Sequence, residues 1–189
     1  MSKISDRVLK IKSSGIRKFF DLVKKEKDII SLGIGEPDFE TPEKIKDAAI
    51  RAIENSLTTY TSNYGLYELR EKISKKLKRE NNIDADPEKE ILITTGSSEA
   101  LDLALRAIIN PNDEVLIPEP CYVAYKSNVI LCGGIPIPIP CCEENEFRVN
   151  VEDIEKKISK KTKCIILATP NNPTGSILRE NDLRKIADI

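Results

Sequence analysis

The chain has 189 residues, 32% of them charged, with 30 basic and 31 acidic side chains and a formal net charge of -1. That length supports one modest domain with a real core, or a domain plus an appendage, and the charge balance gives neither the basic excess of a nucleic-acid binder nor an acidic tail. Histidine is absent, which removes a Cys/His zinc site and any Ser-His or Cys-His catalytic dyad.

Cysteines 121, 132, 141, 142 and 164 are odd in number and form no C-x-x-C pair. They read as small apolar residues in a reducing, cytoplasmic compartment. No signal peptide is read ahead of the first helix, and no apolar run has the length that spans a bilayer, so neither a membrane nor a nucleic acid is expected as a partner.

Residues 14–25 place Ile16, Phe19, Phe20 and Val23 on one face of an amphipathic helix. An extended segment, 29–32, then leads into Gly33-Ile34-Gly35-Glu36-Pro37-Asp38-Phe39. This is not the dinucleotide fingerprint, because Asp38 takes the sixth position and no helix opens there. Gly35 lets a ligand approach bare backbone, and a plain turn is the competing reading. Thr41-Pro42 predicts a capped helix start, and Ile45, Ala48, Ala49, Ala52 and Ile53 follow at helical spacing. After the polar loop 58–63, Leu66, Leu69, Ile73 and Leu77 mark another helix.

The centre of the chain is Thr95-Gly96-Ser97-Ser98-Glu99-Ala100-Leu101. A strand is expected over 91–95 from its apolar run. Beyond it, residues 100–108 are apolar nearly all round, which predicts a fully buried helix. Gly96, Ser97 and Ser98 thus stand at a strand-to-helix junction suited to a phosphate or another anion, and a serine N-cap is the alternative. Residues 114–117 predict a strand ended by Pro118, and 122–131 a helix closed by Gly133-Gly134. The alternation of isoleucine and proline over 135–140 predicts an edge strand with its isoleucines on one face. Asn150 is expected to cap a helix, 164–168 to form a strand buried on both faces, and the last helix, with Leu183, Ile186 and Ala187 inward, to continue to Ile189. Alternating strands and helices mean an α/β fold with a largely parallel sheet. Ligands of such sheets sit at the strands' carboxyl ends, where both Gly96-Ser97-Ser98 and Asn171-Asn172-Pro173 fall.

Five motifs in order carry a resemblance: Gly33 to Phe39 with Thr41-Pro42; Tyr60 ahead of Gly65-Leu66-Tyr67-Glu68-Leu69-Arg70; Thr95 to Leu101; Pro118-Glu119-Pro120-Cys121-Tyr122; and Asn171-Asn172-Pro173-Thr174-Gly175. The chain resembles the N-terminal half of a class I/II aminotransferase, a fold-type-I enzyme that uses pyridoxal 5'-phosphate. The resemblance implies an N-terminal segment over 1–45, part of a small domain, and an incomplete cofactor-binding large domain over 46–189. It implies that Gly96, Ser97 and Ser98 cradle the cofactor phosphate and that Tyr122 stacks on its ring. Asn172 would meet the cofactor's phenolic oxygen and lie near the substrate carboxylate, Gly35 would lie against the substrate, and Tyr60 would reach the neighbouring subunit's phosphate in a homodimer. Without the resemblance, Tyr122 reads as partial core and Asn172 as a brace for the turn before Pro173.

The family's Schiff-base lysine lies in a Ser-x-Ser-Lys motif, and this chain has none. The lysines at 126, 160 and 161 have other surroundings, so no catalytic residue is assigned within this chain. The expectation is a truncated or split aminotransferase, acting between amino acid and 2-oxo acid, inactive alone and completed by a C-terminal half. The alternatives are a lyase on the same cofactor, a non-catalytic fragment that binds a partner polypeptide, and a nucleotide-phosphate binder.

Overall fold

Valine, leucine and isoleucine fill 115–117, and this stretch becomes the middle of the sheet. In the computed structural model, which describes residues 3–11, 35 and 37–189, it is strand β1 (Glu114–Glu119). The helix expected over 14–25 and the extended segment at 29–32 lie outside the described residues. The chain divides into two compact units, Met1–Ser14 with Gly96–Ile189, and Gly15–Thr95.

In the first unit, β1 lies between β2 (Ile135–Pro140) and β3 (Thr162–Ile165), all parallel, in the order β2-β1-β3. The isoleucine–proline strand is therefore at an edge, as its missing donors require. Its helices are α1 (Asp6–Leu9), α4 (Gly96–Ile108), α5 (Ala124–Leu131), α6 (Val151–Lys157) and α7 (Glu180–Ala187). Side-chain alternation along β1 sends Val115 and Ile117 to one face, where they pack with Leu105 and Ile109 beside α5's Val129. Leu116 goes to the other, with Ile139, Val149 and α6's Ile154. Both faces of the sheet are covered, as a parallel sheet requires. Asn150 caps α6 as its sequence predicts, its Oδ1 accepting from the Glu152 N–H at 3.3 Å.

Strand β1 does not stop at Pro118 but runs through it to Glu119. Glu114 donates to the Lys161 carbonyl, so even positions of β1 face β3. Pro118 is thus on the β3 side, where its missing N–H removes the next rung of that ladder. The strand expected over 164–168 is accordingly shorter and shifted: it covers Thr162–Ile165, and 166–168 are half-buried rather than buried on both faces. Two helix readings also change. Helix α4 starts at Gly96 itself and buries only Leu105, while Ala100, Leu103, Ala104, Ala107 and Ile108 are exposed. Helix α7 ends at Ala187 rather than running to Ile189, and Leu183 and Ala187 are exposed while Ile186 is half-buried.

In the second unit, the described helices are α2 (Glu43–Glu54) and α3 (Tyr67–Asn81). Pro42 takes the N-cap position of α2, one residue later than the Thr41 cap its sequence suggests, and no side chain caps it. Arg70, 6% exposed, organises the segment after α3: it donates to the carbonyls of Gly65, Pro87 and Glu88. Its guanidinium also lies 5.8 Å from the Tyr64 ring centre and 5.5 Å from that of Tyr67.

The strand expected over 91–95 is not formed. The Ile93 N–H instead donates to the Tyr64 carbonyl at 3.0 Å. A side chain at Gly65 would run into Ile93, and Gly65 itself has φ +91°, so glycine is required there twice over. A strand exists only with a neighbour, and among the described residues none is offered to 91–95.

Candidate functional site

The order β2-β1-β3 creates a reversal between β1 and β3. The loop after β1 leads to α5 on one face of the sheet, while that after β3 leads to α7, whose Ile186 packs on the other. Adjacent parallel strands whose connections leave to opposite faces open a crevice at their carboxyl ends, the usual ligand position in such sheets. Tyr122 lies in the first of these loops and Asn172 in the second.

One side chain ties the loops together. The Asn171 Nδ2 donates to the Pro120 carbonyl at 3.0 Å and to Thr174 Oγ1 at 2.9 Å. Around it the turn is closed by Asn171 N–H to the Ser176 carbonyl at 2.8 Å and Gly175 N–H to the Asn171 carbonyl at 2.7 Å. Thr174 and Ser176 share a hydroxyl contact at 3.0 Å, and Ser176 donates to the Phe147 carbonyl. The brace that the sequence reading gave to Asn172 is therefore Asn171. The Asn172 side chain is exposed and makes no hydrogen bond among the described residues. A sequence signal existed: Asn171 precedes the turn by the spacing at which an Asx side chain reaches backbone and hydroxyl partners two or three residues on.

Tyr122 is 37% exposed and meets Tyr125 edge to face, with ring centres 5.7 Å apart at 82°. It borders a cavity of about 830 Å³, whose lining also includes Ile11, Val123, Ile130 and the Lys126–Glu119 ion pair. Beside it Tyr125 is half-buried, and burial raises its phenol above the ordinary range. Burial likewise raises the Cys121 and Cys141 thiols, which share a small cavity behind the Asn171 turn.

Gly96 opens α4 at φ +80°, and among the described residues, its chain neighbours and own helix backbone aside, a Cβ built there would meet nothing within 4 Å. Ser97 and Ser98 follow in the first helical turn, both exposed. The connection from α4 to β1 is short, so α4 runs antiparallel to the strands and its N-terminus points to their carboxyl ends. The positive end of the helix dipole is there. Tyr60 and Gly35 belong to the other compact unit, and both are exposed, Tyr60 fully at 106%.

Comparison with known proteins settles the kinship. The family model described as aminotransferase class I and II matches residues 27–189. The chain belongs to this family. It is 51% identical over 185 residues to the aspartate aminotransferase of Pyrococcus abyssi, a match covering 98% of this chain and 48% of that one. Against the aromatic-amino-acid aminotransferase 2 of Thermococcus litoralis it is 49% identical, again over 98% and 48%. Among solved structures, the Thermus thermophilus aspartate aminotransferase with maleate superposes with a TM-score of 0.91 at 35% identity, over 100% of this chain and 50% of that one. The chain thus spans about half the length of the aminotransferases it matches, and its fold is that of their fold-type-I class.

Proposed function

We propose that this chain forms the phosphate and ring side of a pyridoxal-phosphate site in an aminotransferase that moves an amino group between an amino acid and a 2-oxo acid. The observation that carries the reading is the Asn171–Pro120 bond, which holds the loops of Tyr122 and Asn172 side by side at the strand ends. The local chemistry fits the group. Gly96 carries no side chain at the helix head, Ser97 and Ser98 offer hydroxyls at a positive helix end, and the Asn172 amide is uncommitted among the described residues. Tyr122 presents an aromatic surface edged by an apolar cavity.

Pyridoxal phosphate, when bound, supplies the carbonyl and the electron-withdrawing ring that amino-group transfer needs. The roles of this chain are then positional. Gly96, Ser97 and Ser98 hold the phosphate, Tyr122 fixes the ring plane, and the Asn172 amide donates to the phenolic oxygen and orients the substrate carboxylate. Gly35 is the point of backbone approach to the substrate, and the fully exposed Tyr60 reaches the site of a second subunit. Residues 1–45 act as part of a small domain and 46–189 as part of the large one. Five free thiols suit a reducing, cytoplasmic setting.

Proton transfer falls to a lysine outside this sequence. Lys126 borders the Tyr122 cavity, but its ammonium is engaged by the Glu119 carboxylate.

The test mixes the full chain with a polypeptide spanning the unmatched half of the Pyrococcus abyssi relative, adds pyridoxal phosphate, and assays transfer from aspartate and from phenylalanine to 2-oxoglutarate. Turnover in the mixture and in neither part alone is expected. A mixture that assembles, binds the cofactor and transfers from neither donor overturns the reading.

A further inference from the structure

We propose that the cavity between the entry loop of α6, residues 145–150, and helix α7 binds a small zwitterion, an α-amino acid with a short side chain. The inference does not depend on the proposed function.

It starts from an arginine whose donors are unspent. The Arg148 side chain is only 24% exposed, and its Nε is enclosed without a hydrogen-bond partner. Among the described residues its one ion pair, Nη2 to Glu146 Oε2 at 3.3 Å, is with a carboxylate that is 76% exposed. Such a pair contributes little. A guanidinium carries five donors, and folded proteins leave few enclosed donors unpaired. Arg148 therefore asks for an acceptor from outside the chain.

Arg148 borders a cavity of about 100 Å³, whose wall also carries Glu152, Asp182 and Lys185. These are two cations and two carboxylates, yet among the described residues neither cation pairs with either carboxylate. Local hydrogen bonds hold the charges in place. Asn145 Nδ2 donates to the Arg148 carbonyl at 3.3 Å, and the Asn150 cap fixes the first turn of α6, where Glu152 stands. Asp182 Oδ2 accepts from the Arg179 N–H at 3.1 Å at the head of α7. Ile154 and Ile186 belong to one apolar cluster, which keeps α6 and α7 together beneath the cavity.

The charges select the ligand. A simple anion would meet Glu152 and Asp182, and a simple cation would meet Arg148 and Lys185. A molecule with a carboxylate at one end and an ammonium at the other satisfies both pairs and is opposed by neither. At about 10–15 Å³ for each water-sized group, the cavity holds several such groups, which suits an amino acid of the size of alanine. Its apolar wall, from Val149, is small, as a methyl side chain requires. Partly exposed ion pairs are weak, so the affinity lies in the millimolar range. The Phe147 carbonyl, next to Arg148, accepts from Ser176 Oγ at 3.1 Å, which links this loop to the Asn171 turn.

The experiment titrates the full, nitrogen-labelled chain with L-alanine and follows its backbone amide shifts. Propionate, which lacks the ammonium, alaninamide, which lacks the carboxylate, inorganic phosphate and calcium are the comparison probes. Saturable shifts are expected from L-alanine at Arg148, Val149, Glu152 and Lys185. Propionate and alaninamide bind at least about tenfold more weakly, because each loses one charge-assisted contact. Arg148→Met and Lys185→Met each weaken alanine about tenfold and leave alaninamide unchanged. Glu152→Gln weakens alanine and does not weaken propionate. A merely structural role for these residues would affect every probe alike. Lys185 and Glu152 are exposed, so their variants keep the test open where Arg148→Met fails to fold, and circular dichroism identifies that case. Propionate or phosphate binding as tightly as alanine, calcium binding at Glu152 and Asp182 in its place, shifts centred on Tyr122 and Asn172 instead, or no saturable shift at these residues overturns the proposal.

Discussion

The Asn171 side-chain amide and the Pro120 carbonyl, 3.0 Å apart, join the loops that follow two adjacent parallel strands. Asn171 spends its donors on this contact and on Thr174, whereas the neighbouring Asn172 amide has no hydrogen bond among the described residues.

Asn171→Ala removes the bridge and leaves the Pro120 carbonyl without this partner. A neutral hydrogen bond of this kind contributes about 1 kcal/mol, and the variant is expected to lose about 1–2 kcal/mol. Urea unfolding measures the loss, and faster hydrogen exchange at Gly175 and Ser176 localises it. Asn172→Ala is expected to leave stability within about 0.5 kcal/mol while weakening cofactor retention, since its amide holds no partner among the described residues.

Gly96→Ala tests the head of α4. Among the described residues, its chain neighbours and own helix backbone aside, no atom lies within 4 Å of the added Cβ, so its cost there comes from φ +80°, about 1–2 kcal/mol. Gly96→Asn, which tolerates the left-handed region, is expected to recover part of that loss. A cost well above 3 kcal/mol in thermal unfolding contradicts the open cradle.

Arg70→Lys keeps the charge and loses the fork that reaches three carbonyls and lies near two tyrosines. A lysine cannot span them, and a loss of about 2–3 kcal/mol is expected in denaturant unfolding. The motif around Arg70 was visible in the sequence, but its structural work was not, because its acceptors at Pro87 and Glu88 are far along the chain.

The same limit explains the other readings that changed. Strand β2 was legible because proline acts locally, and the Asn150 cap because its partner is two residues away. The strand at 91–95 and the full burial of α4 were read from apolar runs, and such runs state what a segment can bury without supplying the surface that buries it. Pro118 looked like a terminator; the direction in which it faces decides that it ends only the β3 ladder. At the candidate site, the bracing contact of Asn171 needed coordinates, because its acceptor at Pro120 lies far along the chain.

The thiols give a pH signature. Cys142 is exposed, and Cys121, Cys132, Cys141 and Cys164 are raised above their ordinary value of 9.0 chiefly by burial. Iodoacetamide at pH 8 is expected to modify Cys142 first, followed by mass spectrometry. Linkage gives the sign: the folded chain holds these protons after the unfolded chain has released them, so the stability they contribute is full below pH 9.0 and declines as pH rises through and beyond it. Chemical unfolding at pH 8 and pH 10 measures the difference.

Borohydride trapping with pyridoxal phosphate tests the central claim most directly, run on the chain alone and with the unmatched half of the Pyrococcus abyssi relative, and read by peptide mapping. The account predicts no single trapped lysine in this chain, Lys126 included, and one trapped lysine in the added polypeptide, lost when Ser98→Ala and Asn172→Ala are combined. A saturable adduct on one lysine of this chain alone contradicts it.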